Sequence, residues 1–127
     1  MATFIKNITS GDPQSIVEFY KIYSPKILSY LQKRLPTNED AQEVTNDVFL
    51  AAIDSLPLLE RNGNLQAWLY KIAHNKTVDY YRKILKLHYE DKIPVKELAI
   101  IFNLSFKATE SLLFRARQGF KLAYERA

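Results

Sequence analysis

The sequence predicts an all-α protein, a helical bundle followed by a small helix-turn-helix, and three observations carry that reading. Glycine is scarce, with three among 127 residues. Apolar residues recur at three- and four-residue spacing over long stretches, and nowhere do apolar and polar residues alternate for the length of a strand. Hydrophobic residues make up 47% of the chain, enough to furnish one compact domain or two small ones. Cysteine is absent, which removes disulfides, thiolate metal sites and cysteine nucleophiles and suits a reducing cytoplasm. Neither a leading signal segment nor an apolar run of membrane-spanning length appears, so a cytoplasmic protein without membrane insertion is expected.

The first helical region is expected from Asp12, an N-cap residue followed by Pro13 in the first turn, to about Leu35. Ile16, Phe19, Tyr20, Tyr23, Ile27, Leu28, Leu31 and Leu35 keep helical spacing across Pro25, where a kink or short break is expected. The second helix is predicted from Asn38 to Leu56, stopped by Pro57. Ala41, Val44, Val48, Ala51 and Ala52 form one face. Glu39, Glu43, Asp47 and Asp54 fall within about 80° of one another on another face. From Thr37 to Glu60 the chain holds six acids and no base. A solvated face would account for such a stripe. However, no Lys or Arg stands four residues away to relieve the repulsion, which a basic partner surface would do instead.

Residues 57–64 read as a loop with Arg61, Asn62, Gly63 and Asn64 at its tip. A third helix follows from Leu65, with Trp68, Leu69, Ile72 and Ala73 toward the core. Lys71, His74, Asn75, Val78, Tyr81 and Arg82 stand on the other side. Cations, an amide and rings on one face suit single-stranded nucleic acid, where phosphates need charge and unstacked bases need flat surfaces. Tyr80 and Tyr81 fit core or rim positions equally well.

The last third reads as a helix-turn-helix. Ala99 supplies the small residue that two crossing helices need, Asn103 can take the left-handed conformation of a tight turn, and Leu104 plugs the corner. Such a pair presents its second helix to the major groove. On that helix Thr109, Leu113, Ala116 and Phe120 keep the spacing of a buried face. Lys107, Glu110, Ser111, Phe114, Arg115 and Gln118 are left toward the groove. The domain boundary is expected between residues 83 and 84, giving units 1–83 and 84–127.

Catalysis is disfavoured. His74 and His88 lack the carboxylate spacing of a metal site, and three isolated glycines make no phosphate-cradling loop, so no cofactor is expected.

Glu39–Leu50 and Leu65–Arg82 resemble the signature helices of region 2 in bacterial sigma factors of the extracytoplasmic-function group. The carboxyl-terminal segment with Glu110-Ser111-Leu112-Leu113-Phe114-Arg115-Ala116-Arg117 is similar to region 4 of that group. The resemblance implies a sigma factor that binds core RNA polymerase, through the largest-subunit clamp helices and the flap, and directs promoter recognition and melting. It implies polymerase contacts at Glu39, Glu43, Asp47 and Asp54. Contacts to the −10 element would fall to Arg61, Asn62, Asn64, Lys71, His74, Asn75, Lys76 and Arg82. The −35 element would be read by Ser105, Lys107, Glu110, Ser111, Phe114 and Arg115. An anti-sigma factor is the further partner implied. Leu112 stands where many members of the group carry Arg.

One departure is large. The group usually places some tens of flexible residues between the two regions, whereas here Arg82-Lys83 runs straight into Ile84-Leu85. Either the tether is deleted or a segment of the natural chain lies outside these residues, and the reach needed to span two promoter elements favours the second. A stand-alone helix-turn-helix regulator and a decoy that binds an anti-sigma factor without starting transcription are the alternatives.

Overall fold

The computed structural model describes residues 2–56 and 64–126, and in parts of the first and last helices the backbone alone. Among the described residues six α-helices follow one another: α1 Ala2–Thr9, α2 Pro13–Gln32, α3 Asn38–Ser55, α4 Leu65–Leu85, α5 Val95–Phe102 and α6 Phe106–Arg126, with a π-helical turn at Lys86–Glu90. No strand occurs among the described residues, as the fold class predicts. The chain divides into two compact units, Met1–Lys76 and Thr77–Ala127. The division therefore falls inside α4, earlier than the 83/84 boundary read from the sequence.

In the first unit, α1 is a helix that periodicity alone did not mark; it is anchored by the buried Ile8. Gly11, at φ +84°, turns the chain into α2. There Asp12 Oδ2 accepts from the Ser15 N–H at 3.0 Å and from its hydroxyl at 2.6 Å. These two bonds, the hydroxyl's first, hold the Asp12 carboxyl below its ordinary pKa, because they favour the charged form. Every fourth residue along α2 is buried, namely Ser15, Phe19, Tyr23, Ile27 and Leu31. Pro25 cannot donate to the preceding turn, yet the helix runs through it to Gln32, so the expected break reduces to one missing rung. The helix stops short of Leu35 because Pro36 disfavours helical backbone at the residue before it.

Thr37 caps α3, its Oγ1 accepting from the Asp40 N–H at 3.0 Å. Ala41, Val44, Val48 and Ala52 are buried as the pattern predicts, and Thr45 and Phe49 join them. The Thr45 hydroxyl is satisfied by the Ala41 carbonyl at 2.7 Å, so its burial leaves no orphaned polar atom. Phe49 meets Phe19 edge-on with ring centres 5.4 Å apart, which locks α2 to α3. Each such buried ring contributes about 1.5–3 kcal/mol by removal from water. Leu35 and Leu56, with Leu65, Leu69 and Ala73 of α4, are buried in this unit as well.

The second unit is built around Tyr81, Ile84, Leu98, Leu112, Leu113 and Ala116. Tyr81 and Ile84 come from the end of α4, so this helix supplies core residues to the helix-turn-helix. That explains why the boundary falls where it does. Gly119 lets α6 approach: a Cβ there would stand 2.9 Å from Tyr81 Cε2. Beyond α4, Lys92 turns the chain at φ +56°, and His88 Nδ1 donates to the Ile93 carbonyl at 2.8 Å. Asn103 adopts φ 54°, ψ 50°, and the Leu104 N–H closes the turn on the Ala99 carbonyl at 2.8 Å, the pattern that ends many helices. Ala99 is buried and Leu104 packs against the core, as read from the sequence.

Candidate nucleic-acid interface and acidic docking face

Three surfaces carry the chemistry. On α3, Glu39, Glu43, Asp47 and Asp54 are all exposed. Among the described residues no cation pairs with any of them. Leu50, 63% exposed, lies three residues after Asp47 and four before Asp54, so it shares their face, and Ile53 is exposed beside it. The exposed stripe of α3 thus carries two apolar side chains, Leu50 and Ile53, in line with four acids. The sequence signal for Leu50 was its helical offset from the acids, which the apolar face reading passed over.

The second surface begins at Asn64, whose Oδ1 caps α4 by accepting from the Ala67 N–H at 3.0 Å. Asn64, Gln66, Ala67 and Tyr70 line a shallow concavity of about 290 Å³; Gln66 and Tyr70 were not singled out by the sequence. Lys71, His74 and Asn75 stand exposed at spacings of three and four, one face of one helix, and Lys76 is half-buried. Arg61 and Asn62 lie outside the described residues. Arg82 is exposed and held 3.5 Å from Asp79 one turn earlier, a surface pair of little energetic weight that leaves the guanidinium able to change partners. Two positions read onto this face do not belong to it. Tyr81 is 5% exposed, in the second unit's core, and Val78 is half-buried. A wheel cannot show that further helices pack on the later turns of α4.

The third surface is the outer side of α6. Lys107, Glu110, Ser111, Phe114, Arg115 and Gln118 line a shallow groove of about 580 Å³, the whole row that the helical pattern leaves outward. Phe114 is 59% exposed at its middle. Ser105 stands at the head of the helix, where its Oγ accepts from the Ala108 N–H at 3.1 Å, so it serves as the N-cap. Thr109, Leu113 and Ala116 are buried, and Leu112 is buried with them, so that position is part of the core and not of the reading face. The side chain of Phe120 lies outside the described residues. No group of three or more His, Cys, Asp or Glu residues able to hold a metal occurs among the described residues.

The sigma-70 region 2 family model matches residues 19–85, from α2 to the last residue of α4. The chain belongs to the sigma-70 region 2 family. Its relatives include the RNA polymerase sigma factor YlaC of Bacillus subtilis, 31% identical over 77 residues, covering 61% of this chain and 44% of YlaC. The extracytoplasmic-function sigma factor SigW of the same organism is 29% identical over 87 residues, 68% of this chain and 46% of SigW. The chain thus spans about half the length of these relatives. SigM, also from B. subtilis, is 22% identical over 158 aligned positions that take in 88% of this chain and 96% of SigM. Among solved structures, a chain of the complex of CnrH with the cytosolic domain of CnrY superposes with TM-score 0.58 at 19% identity, over 98% of this chain and 97% of that one. A chain of the RsbN–BldN complex gives 0.57, also at 19% identity, over 94% and 98%. The helical fold of those two chains is therefore shared along nearly the whole chain. No helix among the described residues is long and apolar enough to cross a membrane.

Proposed function

We propose that this protein is an extracytoplasmic-function sigma factor, a non-catalytic subunit that docks on core RNA polymerase and directs promoter recognition and strand opening. The observation that carries the reading is the exposed α3 face, where Leu50 stands in line with Glu39, Glu43, Asp47 and Asp54, on a chain that belongs to the sigma-70 region 2 family. Acids steer association with a basic partner, and the leucine supplies the desolvated centre that gives such an interface its lifetime. The clamp helices of the largest polymerase subunit are the partner proposed for this face, with the polymerase flap taking the second unit.

Lys71, His74 and Asn75, with Asn64 and the loop before it, then hold the non-template strand of the −10 element, Lys76 and Arg82 adding charge. Taking a base from the stack costs a few kcal/mol, which pocket contacts and phosphate neutralisation offset without any chemistry on the base. The α6 row reads duplex DNA: Arg115 grips guanine or phosphate, Glu110 accepts from a cytosine amino group, and Phe114 offers apolar contact to a thymine methyl. In each of the two solved complexes in which the fold recurs a second protein is bound, which supports a second protein partner, and an anti-sigma factor is the one proposed.

Promoter opening with purified core polymerase tests the division of labour. Arg115→Ala weakens duplex binding, whereas Asn75→Ala spares duplex binding and slows opening, read by permanganate reactivity of unpaired thymines. Equal effects of both variants on both steps would refute it.

A further inference from the structure

The second half of α2 is basic and takes no part in the three surfaces described above. From Lys21 to Pro36 the sequence holds four bases, Lys21, Lys26, Lys33 and Arg34, and no acid. Tyr23, Lys26, Tyr30 and Lys33 fall within about 80° of one another around the helix axis, so they share one side of it. Lys26 and Lys33 are exposed, and neither pairs with a carboxylate among the described residues. Lys26 Nζ lies 5.5 Å from the centre of the Tyr23 ring. The Arg34 guanidinium lies 3.5 Å from the centre of the Tyr30 ring and donates to the Tyr30 carbonyl at 2.9 Å. Two contacts within its own segment thus hold that cation before any ligand arrives, which lowers the entropy cost of binding through it.

Within the first unit this strip abuts the strand-holding face of α4. Tyr30 meets Tyr70 edge-on with ring centres 5.3 Å apart, and Lys26 Nζ reaches Gln66 Oε1 at 3.5 Å. Gln66 and Tyr70 line the concavity headed by Asn64, and His74 follows Tyr70 by one helical turn. Cations and rings therefore alternate from Lys71 and His74, across Tyr70 and Tyr30, to Arg34 and Lys33. At about 1.5 Å of rise per residue, Lys26 to Lys33 covers roughly 10 Å. Phosphates need the charges, and rings set among them suit bases whose faces are uncovered, as they are in a single strand and not in a duplex. An acidic peptide would use the charges and leave the rings and the concavity without a role.

We propose that the second half of α2 is a further contact surface for single-stranded DNA, on which Lys26, Lys33 and Arg34 hold backbone phosphates of the strand whose bases α4 receives. This rests on the sigma-factor reading and extends it: two helices of the first unit hold the opened strand, and α2 supplies a share of the binding that is independent of sequence.

Binding of the full chain to labelled oligothymidylate of about 12 nucleotides, a length within the usual site sizes of single-strand binders, and to a duplex of the same length tests this. Both titrations are run over a range of salt, with core RNA polymerase titrated in parallel. Three proteins are compared: the natural chain, the Lys26→Gln, Lys33→Gln double variant, and Lys71→Gln as the reference for α4. Each single-strand phosphate contact contributes about 0.7 to the slope of log affinity against log salt. The α2 double variant is therefore expected to lower that slope by about 1.4 and Lys71→Gln by about 0.7, while the double variant keeps the duplex slope and the affinity for core polymerase of the natural chain. A single-strand slope unchanged in the double variant overturns the proposal, and binding of the natural chain to core polymerase then leaves the sigma-factor reading standing. Equal loss on single strand and duplex also overturns it, because α2 is then a general phosphate surface. Loss of polymerase affinity in the double variant with the single-strand slope intact overturns it too and gives the strip to a protein partner. Failure of the natural chain to bind core polymerase refutes the sigma-factor reading and the proposal with it.

Discussion

Replacing Gly119 with alanine probes the contact that seats α6 against Tyr81 in the second unit's core. In an ordinary helix interior the change stabilises by about 1 kcal/mol through lower backbone entropy. Here the added methyl stands 2.9 Å from Tyr81 Cε2 and 3.0 Å from Cδ2, and overpacking of this kind costs about 1–3 kcal/mol. The net expectation for Gly119→Ala is a loss of roughly 0–2 kcal/mol. In a Tyr81→Leu background the ring edge is gone, and the same substitution should stabilise by up to about 1 kcal/mol. The double-mutant cycle therefore predicts a coupling of about 1–3 kcal/mol, with Tyr81→Phe as the control that isolates the hydroxyl. Native-state hydrogen exchange of α5 and α6 amides is the assay, because it reports the opening of this unit separately from that of the first. Additivity of the two changes within about 0.5 kcal/mol refutes the argument. So does a Tyr81→Leu variant that keeps full α5–α6 protection and instead loses affinity for single-stranded DNA, since that would return Tyr81 to the nucleic-acid face.

Three further outcomes follow from named groups. Asn103→Ala should destabilise the helix-turn-helix by about 1 kcal/mol, because only the left-handed backbone at φ 54° closes the turn; Asn103→Gly should be close to neutral, both read from exchange in α5. Asp12 has its carboxyl pKa held below 3.8, so its contribution is complete above that value and disappears as pH falls through the lowered one. Helicity of the natural chain should therefore drop in that acid range more than that of Asp12→Asn, which keeps the cap without the charge; parallel curves would exclude the bond to Ser15 as the cause. Arg115→Ala should reduce the slope of log affinity for duplex DNA against log salt by about 1, and an unchanged slope would remove Arg115 from the phosphate contacts.

Much of this architecture was legible because the informative residues act locally. Asp12 with Pro13 marks a helix start and Asn103 marks a left-handed turn, both through backbone chemistry confined to a few residues. The outward row of α6 was legible for a similar reason, since helical spacing alone separates Lys107, Glu110, Ser111, Phe114, Arg115 and Gln118 from the buried Thr109, Leu113 and Ala116. What periodicity could not give depends on contacts distant in sequence. The α1 helix exists because Ile8 finds a buried site. Tyr81 left the predicted nucleic-acid face because α6 packs on it through Gly119. Thr45 fits the core because the Ala41 carbonyl accepts the hydrogen bond of its hydroxyl. Leu50 is the converse case, an apolar residue that a hydrophobicity reading assigns inward and the fold leaves among acids.

Association with core RNA polymerase tests the acidic face most directly. Fluorescence anisotropy of the labelled natural chain should rise on titration with core enzyme, and the Glu43→Lys, Asp47→Lys double variant should lose at least about tenfold in affinity, the loss shrinking as salt is raised. Equal binding by the two proteins, with both folded by circular dichroism, would contradict the docking role of α3.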